Sequence, residues 1–236
     1  MDIVDRVLKD RPAFHAGGAY RWDALPETLR LLASSVGAAD RTLETGCGVS
    51  TVIFAASGAK HTVISPDRRE HQSVADYCVQ AGIGVTGVDF VEGFSDQYLP
   101  AAGFERQVDL AFIDGAHAFP YPVVDWHYIS KAIRIGGVLV LDDVQIPAVN
   151  MAYRYMKSEP CWRFEGIMDR RTAVFVLAAD PPPEDWTLQR FNDHPTYSFL
   201  PLKDRFIAEF RFRAGTGRHA LARRFPIVKK LRRYSD

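Results

Sequence analysis

The sequence predicts an α/β fold: a mostly parallel sheet with helices on both faces. Three observations predict it. Short apolar runs alternate with longer amphipathic stretches from residue 41 to about 145, the pattern of successive βαβ units. The first run ends in Gly46-Cys47-Gly48, a glycine turn that opens directly into the next stretch. Later runs end in acids, Asp114 and the pair Asp142-Asp143.

Residues 1–40 read as a helical segment accessory to the sheet. Pro26 suits a first helical turn and Glu27 suits its positive end. Leu29, Leu32, Ala33 and Val36 then share one face, and Gly37 ends the run. Residues 14–22 mix aromatics with Gly17-Gly18 and read either as a lid over a ligand mouth or as a surface wrap burying Trp22.

Residues 41–45 form the first strand, and a helix with Val52, Ile53 and Phe54 follows the glycine turn. Residues 61–65 are the second strand, and 67–81 a helix closed by Gly82. Residues 88–91 are the third strand and 108–113 the fourth, ending in Asp114. A helix over 122–135, entered by Pro122 and closed by Gly136-Gly137, leads to a fifth strand over 138–141. A helix over 147–156 and a strand pair at 162–167 and 172–178 complete seven strands. The domain organisation expected is a helical cap over 1–40, the sheet domain over 41–180 and an extension over 181–236.

That extension starts at the stiff run Pro181-Pro182-Pro183. Trp186, Phe191, Tyr197, Phe199 and Phe206 give its first part side chains to pack. Its end is basic, with nine Lys and Arg from Arg211 onward. Such a tail either meets an anionic partner or is a solvated helix.

At 236 residues the chain can bury a substantial core, and 47% hydrophobic and 25% charged residues are ordinary for a globular protein. A formal net charge of +0 gives no overall pull toward nucleic acid or membrane. Three scattered cysteines form no C-x-x-C, which excludes a disulfide framework and a zinc knuckle. The charged N-terminus is unlike a signal peptide, and no apolar run approaches the ~20 residues of a membrane helix. A cytoplasmic location is expected; the oligomeric state is open, with a homo-oligomer allowed.

Right-handed crossovers bring the C-terminal ends of the parallel strands to one edge of the sheet, where ligands bind. The glycine turn and the strand-end acids therefore converge. A dinucleotide site wants a third glycine where this chain has Thr51, and Glu44 would oppose a pyrophosphate but suit a cationic ligand. The run Glu44-Thr45-Gly46-Cys47-Gly48-Val49-Ser50-Thr51 resembles motif I of the class I S-adenosylmethionine-dependent methyltransferases. The resemblance implies a Rossmann-like, doubly wound seven-stranded sheet and a cofactor site at Glu44, Gly46, Cys47, Gly48, Ser50 and Thr51. It further implies ribose contact from Ser65 or Asp67, where the family usually has an acid directly at the second strand's end. The adenine would be bordered by Gly93, Phe94 and Ser95.

Three converging carboxylates need a cation, a proton or hydrogen bonds between them. A divalent ion such as Mg²⁺ meets that need. The segments Ile113-Asp114-Gly115-Ala116-His117 and Gly136-Gly137 through Asp142-Asp143 resemble the metal-dependent O-methyltransferases of the catechol and macrolide-sugar type. That resemblance implies metal binding by Asp114, Asp142 and Asp143, with Asp114 also reaching the cofactor. His117 stands where the catechol type has its general base, and either takes a proton from a substrate hydroxyl or orients Asp114. Asp125 reads as a helix N-terminal charge. The expected activity is O-methylation of a small hydroxylated acceptor, a sugar or catechol-like ring, with S-adenosylmethionine as donor. The alternatives are a metal-independent methyltransferase, a nicotinamide-dependent oxidoreductase and a non-catalytic binding protein.

Overall fold

The structure is a computed structural model of the chain and describes residues 2–20, 23–181, 185–193 and 195–212. Two compact units separate, Met1–Asp180 and Pro181–Asp236.

The first unit begins with α1 (Ile3–Asp10), started by the Asp2 side chain accepting from the Val4 amide, and α2 (Pro26–Ser35). There follow β1 (Arg41–Thr45), α3 (Val49–Ser57), β2 (Lys60–Ser65), α4 (Arg68–Gln80) and β3 (Val88–Glu92). A short α5 (Ser95–Tyr98) precedes β4 (Val108–Ile113), α6 (Tyr121–Ala132), β5 (Ile133–Leu141) and α7 (Pro147–Ser158). The hairpin of β6 (Trp162–Met168) and β7 (Thr172–Leu177) ends the sheet. The strand order is β3-β2-β1-β4-β5-β7-β6. β1 to β5 are parallel and β7 runs antiparallel to both its neighbours. The doubly wound, seven-stranded expectation is borne out.

The central strands bury both faces, as their unbroken apolar runs require. Leu110, Phe112 and Val140 join Leu29, Leu32, Ile53, Phe54 and Val74 in one core. The alternate residues Ala111, Ile113, Leu139 and Leu141 join Ile129, Val149 and Met156 in the other. This is the period of two of a pleated strand.

The boundary between α6 and β5 differs from expectation. The helix stops at Ala132 and β5 starts at Ile133, because Ile133 pairs with Val108 before a register shift. Gly137 is needed inside the strand: a Cβ there would lie 2.7 Å from Ile133 Cγ2 and 2.9 Å from the Arg134 carbonyl oxygen.

α2 has no capping side chain of its own. Its start is capped by Asp169, from the β6–β7 turn, which accepts from the Glu27 amide at 3.3 Å and the Thr28 amide at 2.7 Å. Thr28 Oγ1 lies 2.9 Å from Asp169 Oδ2 and 3.0 Å from Thr172 Oγ1, so its single proton can go to either.

The second unit contains 3₁₀ turns at Trp186–Leu188 and Arg190–Asp193 and a helix over residues 202–212. Phe191 and Tyr197 are partly buried, but Trp186, Phe199 and Phe206 are exposed, against the expectation that these aromatics pack. Trp22, the end of the proline run at Pro182-Pro183 and the basic stretch from Arg213 to Asp236 lie outside the described residues. No described helix is long and apolar enough to cross a membrane.

Candidate active site

The sheet order reverses between β1 and β4, and a cavity of about 740 Å³ opens at their C-terminal ends. That volume falls in the range of small-molecule sites, at the switch point where open α/β sheets bind ligands. Glu44, Gly46, Cys47, Gly48, Ser50, Ser65, Asp67, Gly93, Phe94, Ser95, Asp114, His117 and Asp143 all line it. Thr51 and Asp142 stand behind its wall, fully buried.

Gly46 takes φ +91°, and a Cβ on it would collide with the Asp114 carbonyl oxygen, so the β1 and β4 ends touch only because this residue is glycine. The next helix is braced from within. Thr51 Oγ1 accepts from the Gly48 amide at 3.0 Å and donates to Glu44 Oε2 at 2.8 Å. Ser50 Oγ donates to Glu44 Oε1, and His61 Nε2 lies 3.2 Å from Glu44 Oε2. The His61 ring stacks on Phe54 and its Nδ1 meets Thr42 Oγ1 at 2.9 Å. A carboxylate offers about four acceptor positions. The buried Glu44 therefore keeps capacity for a donor arriving from the cavity after Ser50, Thr51 and His61 are satisfied. Burial pushes the Cys47 thiol well above its ordinary pKa, so it lines the cavity as a neutral, unreactive group.

The second wall carries a residue not anticipated. Ser65 Oγ donates to Glu70 Oε2 at 2.9 Å, and Glu70 Oε1 lies 2.9 Å from His15 Nδ1. Both Glu70 and His15 line the cavity. Asp67, by contrast, caps α4: its Oδ1 accepts from the Arg69 amide, and the Arg69 side chain grips both its oxygens at 3.0 and 2.8 Å. These bonds hold the Asp67 carboxyl down at about 2. Asp67-Arg68-Arg69-Glu70 has capping-box spacing, which assigns Glu70 to the helix end and hides its turn toward the cavity.

The reading of Asp125 as a helix N-terminal charge is overturned. α6 starts at Tyr121, so Asp125 falls one turn inside and faces the core, 1% exposed. Thr45 and Ser95 are its polar neighbours, yet neither carboxylate oxygen has a well-formed hydrogen bond among the described residues. Burial raises its carboxyl to about 6.

At the far end, His117 Nε2 lies 3.7 Å from Asp114 Oδ1 and 3.7 Å from Asp143 Oδ2. The nearby Asp114 carboxyl raises the His117 pKa above its ordinary 6.5, while burial raises the Asp114 carboxyl to about 7.

The expected group of three acids is not what forms. Asp142 is fully buried, with Oδ2 at 2.9 Å from Arg171 Nη2 and Oδ1 bonded to the Thr172 hydroxyl. Arg171 Nη1 also reaches Asp143 Oδ1 at 3.4 Å. Asp114, His117 and Asp143 instead place one potential ligand atom each within 4.8 Å of the others. Two carboxylates and an imidazole fit a divalent ion of mixed nitrogen and oxygen preference better than Mg²⁺, which favours an all-oxygen shell. Arg171 and Thr172 follow no recognisable motif; only the hairpin brings them to Asp142.

Residues 43–144 match the model of the family described as "Methyltransferase domain", and no curated protein matches the sequence. Three solved structures share the fold. The first is cofactor-bound Rv0187 from MTB, 19% identical, TM-score 0.63, over 76% of this chain and 92% of that one. The second is an O-methyltransferase from Bacillus cereus in complex with SAH, 17% identical, TM-score 0.60, over 76% and 92%. The third is the O-methyltransferase TomG from Streptomyces achromogenes in complex with SAM, 16% identical, TM-score 0.58, over 76% and 91%. Residues 43–144 are thus similar to a methyltransferase domain, in line with the resemblance read in motif I, and the three structures share the fold of this chain.

Proposed function

We propose that the protein transfers a methyl group from S-adenosylmethionine to a hydroxyl of a small acceptor, such as a sugar or a catechol-like ring. The observation that carries this reading is the position of His117, bracketed by Asp114 and Asp143 on the cavity into which the glycine turn opens. Glu44 and the turn Gly46-Cys47-Gly48 would receive the amino-acid end of the donor. Ser65 and Glu70 would take the ribose hydroxyls, and Gly93, Phe94 and Ser95 would border the adenine. The donor supplies an electrophilic methyl on sulfur. The acceptor oxygen bonds to that carbon as the carbon–sulfur bond breaks, and the His117 imidazole takes the hydroxyl proton. Asp114 and Asp143 stabilise the imidazolium that results.

Titration calorimetry with S-adenosylmethionine, followed by methyl-transfer assays on vicinal diols and catechols, tests the reading. Tight donor binding and transfer lost in His117→Ala are expected; failure to bind the donor would sink it.

A second reading rests on the close approach of the three ligand atoms. Here Asp114, His117 and Asp143 would hold a divalent ion, which would supply the Lewis acidity that lowers the pKa of an acceptor hydroxyl. Loss of transfer on chelation, restored by added metal, would favour it over direct proton transfer to His117. A tail-bound anionic partner, a homo-oligomer and a cytoplasmic location remain part of the proposal.

A further inference from the structure

The helix over residues 202–212 presents an apolar stripe that nothing described in its own unit covers. Leu202, Phe206 and Phe210 recur every fourth residue and so share one face. They are 71%, 66% and 75% exposed, with Phe199 before them and Ile207 beside them also exposed. Arg205 and Glu209 pair at 2.9 Å elsewhere on the helix. Lone exposed apolar residues are ordinary, but an aligned aromatic stripe marks a surface that meets something.

The charge that follows identifies what it meets. Residues 211–236 hold nine Lys and Arg against one acid, Asp236, interleaved with Phe212, Phe225, Ile227 and Leu231. Because the whole chain is formally neutral, the remainder carries the compensating negative charge. The net positive charge therefore lies at this one end. A nucleic acid would satisfy the cations and leave the Leu and Phe stripe in water. An anionic bilayer satisfies both, since acyl chains take the stripe and headgroups take the cations.

We propose that the helix over residues 202–212 docks the chain on an anionic lipid surface. Leu202, Phe206 and Phe210 enter the headgroup–acyl boundary, and the positive charge that the sequence carries from Arg211 onward draws this end of the chain to anionic headgroups. The proposal is independent of the catalytic reading.

The test is co-sedimentation of the full chain with vesicles of phosphatidylcholine, with and without phosphatidylserine. Binding should be more than about tenfold stronger on the anionic vesicles, the ratio expected once a few cations engage. It should fall away at about 0.5 M salt, where the screening length is a few ångström. Combining Phe206→Ser with Phe210→Ser should cut anionic binding by about tenfold or more while circular dichroism and the unfolding midpoint stay unchanged. Combining Lys229→Glu with Lys230→Glu should weaken anionic binding and leave the apolar stripe intact. Equal binding to both vesicle types would overturn the proposal, as would unaltered anionic binding by the serine variant. A wild-type dimer in light scattering that the serine variant abolishes would also overturn it, by assigning the stripe to a second copy of the chain.

Discussion

Arg171 Nη2 stands 2.9 Å from Asp142 Oδ2 while Nη1 stands 3.4 Å from Asp143 Oδ1. One guanidinium thus neutralises the acid pair at the end of β5, one member of which has no solvent access. Truncation by Arg171→Ala leaves Asp142 charged and buried, a situation that costs about 3–5 kcal/mol. Chemical denaturation should record a loss of that order. Arg171→Lys should recover only part of it, because an ammonium cannot span two carboxylates as a planar fork does.

His117 sets the pH dependence of turnover. Its folded pKa is raised by Asp114, and a base works only when deprotonated. The rate should therefore climb with pH and reach half its plateau above 6.5, the ordinary histidine value. His117→Ala should lower the rate by roughly 10²–10⁴ while leaving donor affinity within a few-fold of wild type. A pH–rate profile with parallel calorimetry checks both parts.

Asp125 makes a different pH prediction, one about stability. Its carboxyl titrates near 6 in the fold and near 3.8 when unfolded, so the folded state binds the extra proton between those values. The contribution of this one carboxyl should be largest below about pH 4, fall as pH rises through about 6, and level off beyond, a total of about 3 kcal/mol. Asp125→Asn should flatten that slope. Unfolding midpoints collected from pH 3 to 8, a range of about five units, would reveal a slope if this carboxyl is responsible for it.

Gly46→Ala should abolish donor binding and destabilise the fold by about 2 kcal/mol or more. The new methyl would meet the Asp114 carbonyl at a backbone angle that L-residues resist. Gly82→Ala, also at positive φ but with open space around it, should lose only the conformational part and leave donor binding intact. Comparing the two variants by thermal shift with and without donor separates site geometry from general strain.

The sheet was legible because its signals are local. Each parallel strand is a short apolar run bounded by turn residues, and right-handed crossovers leave one topology. The β5 start was misread because Gly136-Gly137 looks like a helix terminator, while its cause, close approach to Ile133, depends on pairing with β4. The glycine turn and the acids Asp114 and Asp143 were visible for the same local reason. Asp142 and Asp125 were not, since the side a residue faces depends on one position of register or one turn of helix start. Glu70 and Arg171 belong to the site through partners far along the chain, His15 and Asp142, and no spacing within the sequence encodes those pairs.

The single reversed strand, second from the sheet's edge, has a mechanical result. Because β7 runs against β5, the hairpin tip emerges on the catalytic rim and not at the opposite end. A three-residue bend, Asp169 to Arg171, thereby fastens two things at once: the start of α2 and the buried partner of the acid pair. The first forty residues are thus riveted to the last strand laid down, and the rim cannot be completed until the chain's later part has been threaded home.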